Sequence, residues 1–153
     1  MLIKYALSCI KGKPMKKLIY LSLLILSLLY GVSLSKENPI QVKVLLKSTQ
    51  SWDTETLPQY PKGEPEITVL RIMIEAGAEV PMHKHPVISA GVLLRGELTI
   101  LIDDSKTVKM KAGEALVETV NTWHWAKNEG SEVAELIVFY AGVKDGVLSI
   151  KKE

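Results

Sequence analysis

Cysteine is nearly absent from this chain: Cys9 is the single one in 153 residues, and it falls in an N-terminal segment that reads as a leader. The chain beyond that leader has no thiol, which excludes disulfides, a thiolate nucleophile and cysteine metal ligands whatever the compartment. Excess positive charge is also missing once the leader is set aside. Residues 1–35 hold five of the 19 basic residues and none of the 17 acidic ones, so the remainder is net −3 and the basic balance belongs to the leader. No basic or aromatic-interleaved stretch is left to suggest a nucleic-acid surface. Helical periodicity, internal repeats and low-complexity segments are absent after residue 35. Histidine is scarce, with three in all.

The leader has its own logic. Met15-Lys16-Lys17 precedes an uncharged run from Leu18 to Ser35, and Ser33 and Ser35 supply small residues at the −3 and −1 positions of a cleavage after Ser35. This is the pattern of a secretory signal, placing the product in the periplasm or outside the cell, with a mature start near Lys36. The run is also long enough for an uncleaved N-terminal membrane anchor facing away from the cytoplasm. Met15 is an alternative initiator, because Met1 to Pro14 adds a second basic segment ahead of an already complete signal.

The rest suits one domain. Ile40 to Lys47 has the composition of a first strand, and residues 48–65 shift to Thr, Gln, Pro, Gly and charge, an ordered arm or long loop carrying Trp52 and Tyr60. Ile67 to Glu75 is β-branched with apolar residues on both faces, as for a strand buried between two layers or at a dimer interface. Further extended runs follow, separated by turns at Asp103-Asp104-Ser105, Ala112-Gly113, Asn121-Thr122 and Asn128 to Ser131. Short strands and turns over about a hundred residues indicate an all-β sandwich or barrel, occupying residues 66–153.

Two histidines, His83 and His85, flank Lys84 in an extended segment, so both imidazoles project from one face toward one spot. That is a ligand geometry, although an HxH pair before a proline turn also describes two ordinary exposed or hydrogen-bonded histidines. The wider spacing resembles the cupin family. The family's first motif, G(x)5HxH(x)3-4E(x)6G, is matched by Gly77, His83, His85 and Gly96; its second, G(x)5PxG(x)2H(x)3N, by Gly113, His124 and Asn128. Three departures stand out. Ser89 occupies the place of the first motif's acidic ligand, and Thr119 and Asn121 replace the second motif's Pro and Gly.

The resemblance implies a single double-stranded β-helix, or jelly-roll barrel, that binds one divalent metal through His83, His85 and His124. Three neutral imidazoles suit Fe, Mn, Zn, Ni or Cu. Glu118, six residues before His124, is the acid to watch, as a replacement ligand, a partner orienting an imidazole, a general base, or a solvent-facing strand end. Trp123 and Trp125 alternate with His124 and should face away from it, as should Lys84. Arg95 reads as a solvated turn residue and Asn128 as a turn-closing one. Two functions stay open: a metal-dependent oxygenase or lyase/isomerase acting on a small oxygen-rich molecule, and a non-catalytic module binding a small ligand or metal. Pairing into a homodimer through the sheets is the expected assembly.

Overall fold

The computed structural model describes residues 39–102 and 106–153. The leader and its cleavage point, and the turn at Asp103-Asp104-Ser105, therefore lie outside the described residues. Contacts divide the chain into two units, residues 1–42 and 43–153. Among the described residues every strand belongs to the second unit, and there is no helix.

The strands form two antiparallel sheets. One has the order β1 (Pro65–Ile74), β8 (Ala134–Val143), β3 (Ile88–Arg95), β6 (Ala115–Val117). The other has the order β5 (Lys106–Lys111), β4 (Glu97–Ile102), β7 (His124–Lys127), β2 (Glu79–Lys84), β9 (Ile150–Lys151). Their inner faces share one core, to which the first sheet contributes Leu93, Leu136, Val138 and Tyr140 and the second Leu98, Ile100, Met110 and Ala126. Alternation drives this arrangement. Along β8, residues 134, 136, 138 and 140 are buried while their neighbours face outward, so every second side chain leaves water, at roughly 1.5–3 kcal/mol for each large apolar one.

Two expectations are corrected. Ile40 to Lys47 does not form a strand: residues 41–47 are exposed and outside any ladder, because β-propensity yields a strand only where a neighbouring edge is there to pair. Among the described residues, the expected layer over the outside of β1 is also missing. Ile67, Val69 and Met73 are 55%, 57% and 60% exposed, and Phe139, paired with Val69 on β8, is 43% exposed. The two-faced apolar pattern of β1 reflects an inner face on the core and an outer face left bare.

Two tight turns fix the strands around the motifs. Asn121, standing where the family motif has glycine, adopts φ 59°, and its N–H donates to the His85 carbonyl at 2.7 Å. Asparagine reaches this left-handed region at modest cost. Gly96, between β3 and β4, has φ 76°, and a Cβ there would lie 2.7 Å from the Val133 carbonyl oxygen. Gly77 has nearly the same φ, 77°, but open space around it. Gly77→Ala should therefore cost about 1 kcal/mol of stability from strain alone, and Gly96→Ala roughly 3 kcal/mol or more because backbone must also move. Urea denaturation of the two variants checks this, and equal losses would contradict it.

Candidate metal centre

The pairing of β2 with β7 creates the site. Gly77 N–H donates to the Asn128 carbonyl and Asn128 N–H to the Ala78 carbonyl, so the start of one strand is tied to the end of the other. From there the register runs to Glu79↔Lys127 and Val80↔Ala126. A bulge follows, and then His83 stands directly opposite His124. His85, two residues on, projects from the same face as His83 and is bridged to Val120. The ring centroids lie 4.9 Å apart for His83 and His85, 4.3 Å for His83 and His124, and 5.1 Å for His85 and His124. One ligand nitrogen from each of the three lies within 4.8 Å of the others.

Their orientation is set by hydrogen bonds. His83 Nδ1 lies 2.7 Å from the Pro81 carbonyl oxygen, His85 Nδ1 3.0 Å from that of Leu148, and His124 Nδ1 3.0 Å from that of Thr122. A carbonyl can only accept, so each Nδ1 carries a proton, and in a neutral ring so bonded Nε2 keeps the free lone pair. Three imidazoles with Nδ1–H bound to the main chain and Nε2 converging form the donor set a divalent ion requires, and the group therefore fits these residues. Burial adds to this. It pushes the His124 pKa down to about 4 and lowers that of His85, with the neighbouring imidazoles pressing the same way, so both are neutral and ligand-competent at pH 7.

Glu118 is buried rather than solvent-facing. Its Oε2 lies 3.7 Å from His124 Nε2, and burial raises its pKa to about 7. With the imidazole neutral and the carboxyl half-protonated at pH 7, this contact is not an ion pair, and 3.7 Å is too long for a hydrogen bond. Oε2 has no partner in the protein. Ser89 is fully buried and its Oγ likewise has no partner. Glu118 N–H donates to the Ser89 carbonyl at 2.9 Å, which puts the two residues side by side across the strands.

The motifs contain no tyrosine, yet the fold brings one in. Tyr140 pairs with Ser89 across β3 and β8, is buried, and sets its ring 5.4 Å from that of His85. Burial, then the nearby Glu118, push its pKa up to about 12, so it is a phenol and a hydrogen-bond donor at neutral pH. Its signal in the sequence is phase: it continues the buried alternation of Leu136 and Val138. Other residues stay outside the site. Lys84 Nζ lies 4.9 Å over the Trp123 ring, away from the histidines, and Trp125 alternates outward between buried His124 and Ala126. Arg95 is exposed and paired with Glu132. Asn128 closes its turn, giving Nδ2–H to the carbonyls of Ile74 and Glu132 and accepting from Gly130 N–H.

Comparison with known proteins agrees with this geometry. A cupin domain model matches residues 70–140. The chain carries a cupin domain. Among solved structures, a Klebsiella pneumoniae protein with a double-stranded β-helix domain is 21% identical, covering 72% of this chain and 99% of its own, at TM-score 0.50. The cupin domain of Schizosaccharomyces pombe Cnp3 is 23% identical over 57% of this chain and 60% of its own, at TM-score 0.47. An oxalate decarboxylase from Lactobacillus farciminis is 18% identical over 56% of this chain, at TM-score 0.49, and the match spans only 26% of the decarboxylase. No curated protein matches in sequence. At 21% identity the Klebsiella pneumoniae protein shares the fold with this chain, and nothing more is carried over from it.

The two shifted groups give the metal-free protein a defined pH response. An unfolded His124 takes a proton near 6.5 and the folded one only near 4, so stability falls as pH drops between those values. Glu118 works the other way: the folded carboxyl holds its proton to about 7 and the unfolded one loses it near 4.5, so stability falls as pH rises through that window and is level above it. Glu118→Gln should remove the second loss and gain on the native protein between pH 5 and pH 8 by up to roughly 3 kcal/mol. Urea midpoints of both metal-free proteins at the two pH values check this, and a pH-independent difference would contradict it.

Proposed function

We propose that this cupin is an exported metal-dependent enzyme of the lyase or isomerase type, acting on a small oxygen-rich molecule, with Glu118 as its general base. The observation that carries the reading is the buried Glu118 carboxyl lying 3.7 Å from Nε2 of His124, whose ring stands 4.3 Å from that of His83. His83, His85 and His124 hold one divalent ion, drawn from Fe, Mn, Zn, Ni or Cu. When bound, the ion supplies an electrophile that polarises a coordinated oxygen.

The chain's own residues supply the rest. With Ser89 in place of an acidic ligand, the protein contributes no negative charge at that position. In the metal-free protein burial raises the Glu118 pKa to about 7, and its place beside His124 suits it to taking a proton from carbon or water and returning it. Tyr140, kept protonated, can donate to an oxygen of the substrate. Proton transfer is thus the chemistry best provided for, ahead of oxygenation. The binding-module reading retains one observation in its favour, the missing acid at Ser89.

Elemental analysis of residues 36–153, purified without affinity histidines, tests the centre. The native protein should hold one metal per chain, His124→Ala should lose it, and Glu118→Gln should keep it, because Glu118 acts as base and not as ligand. Deuterium incorporation beside the carbonyl of small 2-oxo acids in D2O, followed by NMR, tests the chemistry. Metal-dependent exchange that disappears in Glu118→Gln is expected. Exchange by none of the acids, or undiminished exchange in the variant, would count against the enzyme.

Export and assembly belong to the same reading. The outer face of β1 and β8 exposes Ile67, Val69, Met73 and Phe139, and a second copy of the chain is its proposed cover. Cell fractionation, N-terminal sequencing and light scattering of the product check both points. A chain beginning near Lys36 with twice the monomer mass is expected; an intact Met15 start on a membrane-bound product, or a monomer, would reject the respective claim.

A further inference from the structure

Among the described residues, three buried side-chain polar atoms have no hydrogen-bond partner: Glu118 Oε2, Ser89 Oγ and Trp52 Nε1. Orphaned polar groups are costly, at about 1–3 kcal/mol each, and a native fold keeps few of them without a reason. The main chains that carry them are adjacent. Trp52 N–H donates to the Val117 carbonyl at 2.9 Å, and the next residue, Glu118, donates its N–H to the Ser89 carbonyl at 2.9 Å. The arm, the end of β6 and the start of β3 thus lie side by side, with Tyr140 opposite Ser89 on β8.

Trp52 lies outside the segment matched by the cupin domain, residues 70–140. It reaches the barrel because the arm is firmly built. Ser51 N–H donates to the Glu55 carbonyl and Leu57 N–H to that of Thr49, while Ser51 Oγ bonds to Asp53. Lys106 Nζ donates to the Asp53 carbonyl at 3.1 Å, tying the arm to β5. Trp52 packs against the shared core of the two sheets, a cluster that includes Leu116 and Tyr140. Its Nε1–H is buried with no hydrogen-bond partner in the protein.

We infer that Trp52 is a ligand-binding residue of this cupin: its Nε1–H donates to an oxygen of a small hydroxy acid whose hydroxyl is received by Glu118 and Ser89. The inference deepens the metal-enzyme reading and rests on it. The three orphans fit that class because they combine a pure donor, an acceptor and a hydroxyl able to do both. A ligand offering both an acceptor oxygen and a hydroxyl satisfies all of them; a simple carboxylate leaves the Glu118 side unmet.

Lactate and propionate, which differ by one hydroxyl, are the probes. Zinc is titrated first into the full mature chain and into Trp52→Phe, a change that keeps an aromatic ring and removes only the donor. Each acid is then added to the zinc-loaded proteins, with affinity measured by calorimetry and the 15N–1H indole resonances followed by NMR. Lactate should bind the native protein about tenfold more tightly than propionate and move the Trp52 Nε1–H signal downfield. Trp52→Phe should bind zinc within about twofold of native and lactate about tenfold more weakly. A native protein that takes up zinc but binds neither acid, a Trp52 signal that stays in place, or unchanged lactate affinity in Trp52→Phe overturns the inference while leaving the metal centre intact. Failure of the native protein to bind zinc or any other of the five metals overturns the metal reading, and this inference with it.

Discussion

Everything at the candidate centre depends on where three protons sit. His83, His85 and His124 each give Nδ1–H to a main-chain carbonyl, those of Pro81, Leu148 and Thr122. Two of these bonds are local, reaching back two residues along the bulged β2 and the entry to β7. The third comes from 63 residues away and explains the use of the C-terminal stretch: by returning to pair β9 with β2, the chain places the Leu148 carbonyl under His85. Each bond selects a tautomer, and the three choices together turn a cluster of imidazoles into a set of converging lone pairs. Burial reinforces the choice at His85 and His124 by disfavouring the imidazolium, so these two rings do not repel one another as charges would.

The departure from the family motif at Ser89 and the burial of Glu118 read best as one change. An acidic residue is absent from the β3 position and present on its lateral neighbour, still on the inner face. Moved there, the carboxyl lies beside His124 without a hydrogen-bond partner, and desolvation brings its pKa near neutrality. A carboxylate bound directly to an ion would be tied up as a charge. One held a step away is free to exchange a proton. The same sheet carries Tyr140 at the next position in the row, which gives the inner wall an acid, a hydroxyl and a phenol in line.

Much of this was legible in the residues. The HxH pair, the third histidine in register and the outward alternation of Lys84 and Trp125 follow from spacing and the period of a strand. Asn121 was readable as a glycine substitute because asparagine reaches positive φ. What was not legible depended on long-range pairing. Tyr140 lies 55 residues beyond His85, and only the β3–β8 register brings it to Ser89. Glu118 was ambiguous because regular β6 stops at Val117, where alternation ceases to say which way a side chain points. The bare outer face of β1 was unreadable for a related reason: an apolar strand face looks the same whether a second layer or a second molecule covers it. Residues 41–47 show the limit of propensity, being exposed and outside any strand.

The most direct test of the account is the tautomeric state of the three histidines in the metal-free protein near neutral pH, read from long-range 15N–1H correlation spectra of the imidazole rings. Nδ1 of all three rings should carry a proton, and His85 and His124 should be neutral with a bare Nε2. A bare Nδ1 on any of the three, or a proton on Nε2 of His85 or His124, would be the contradicting result.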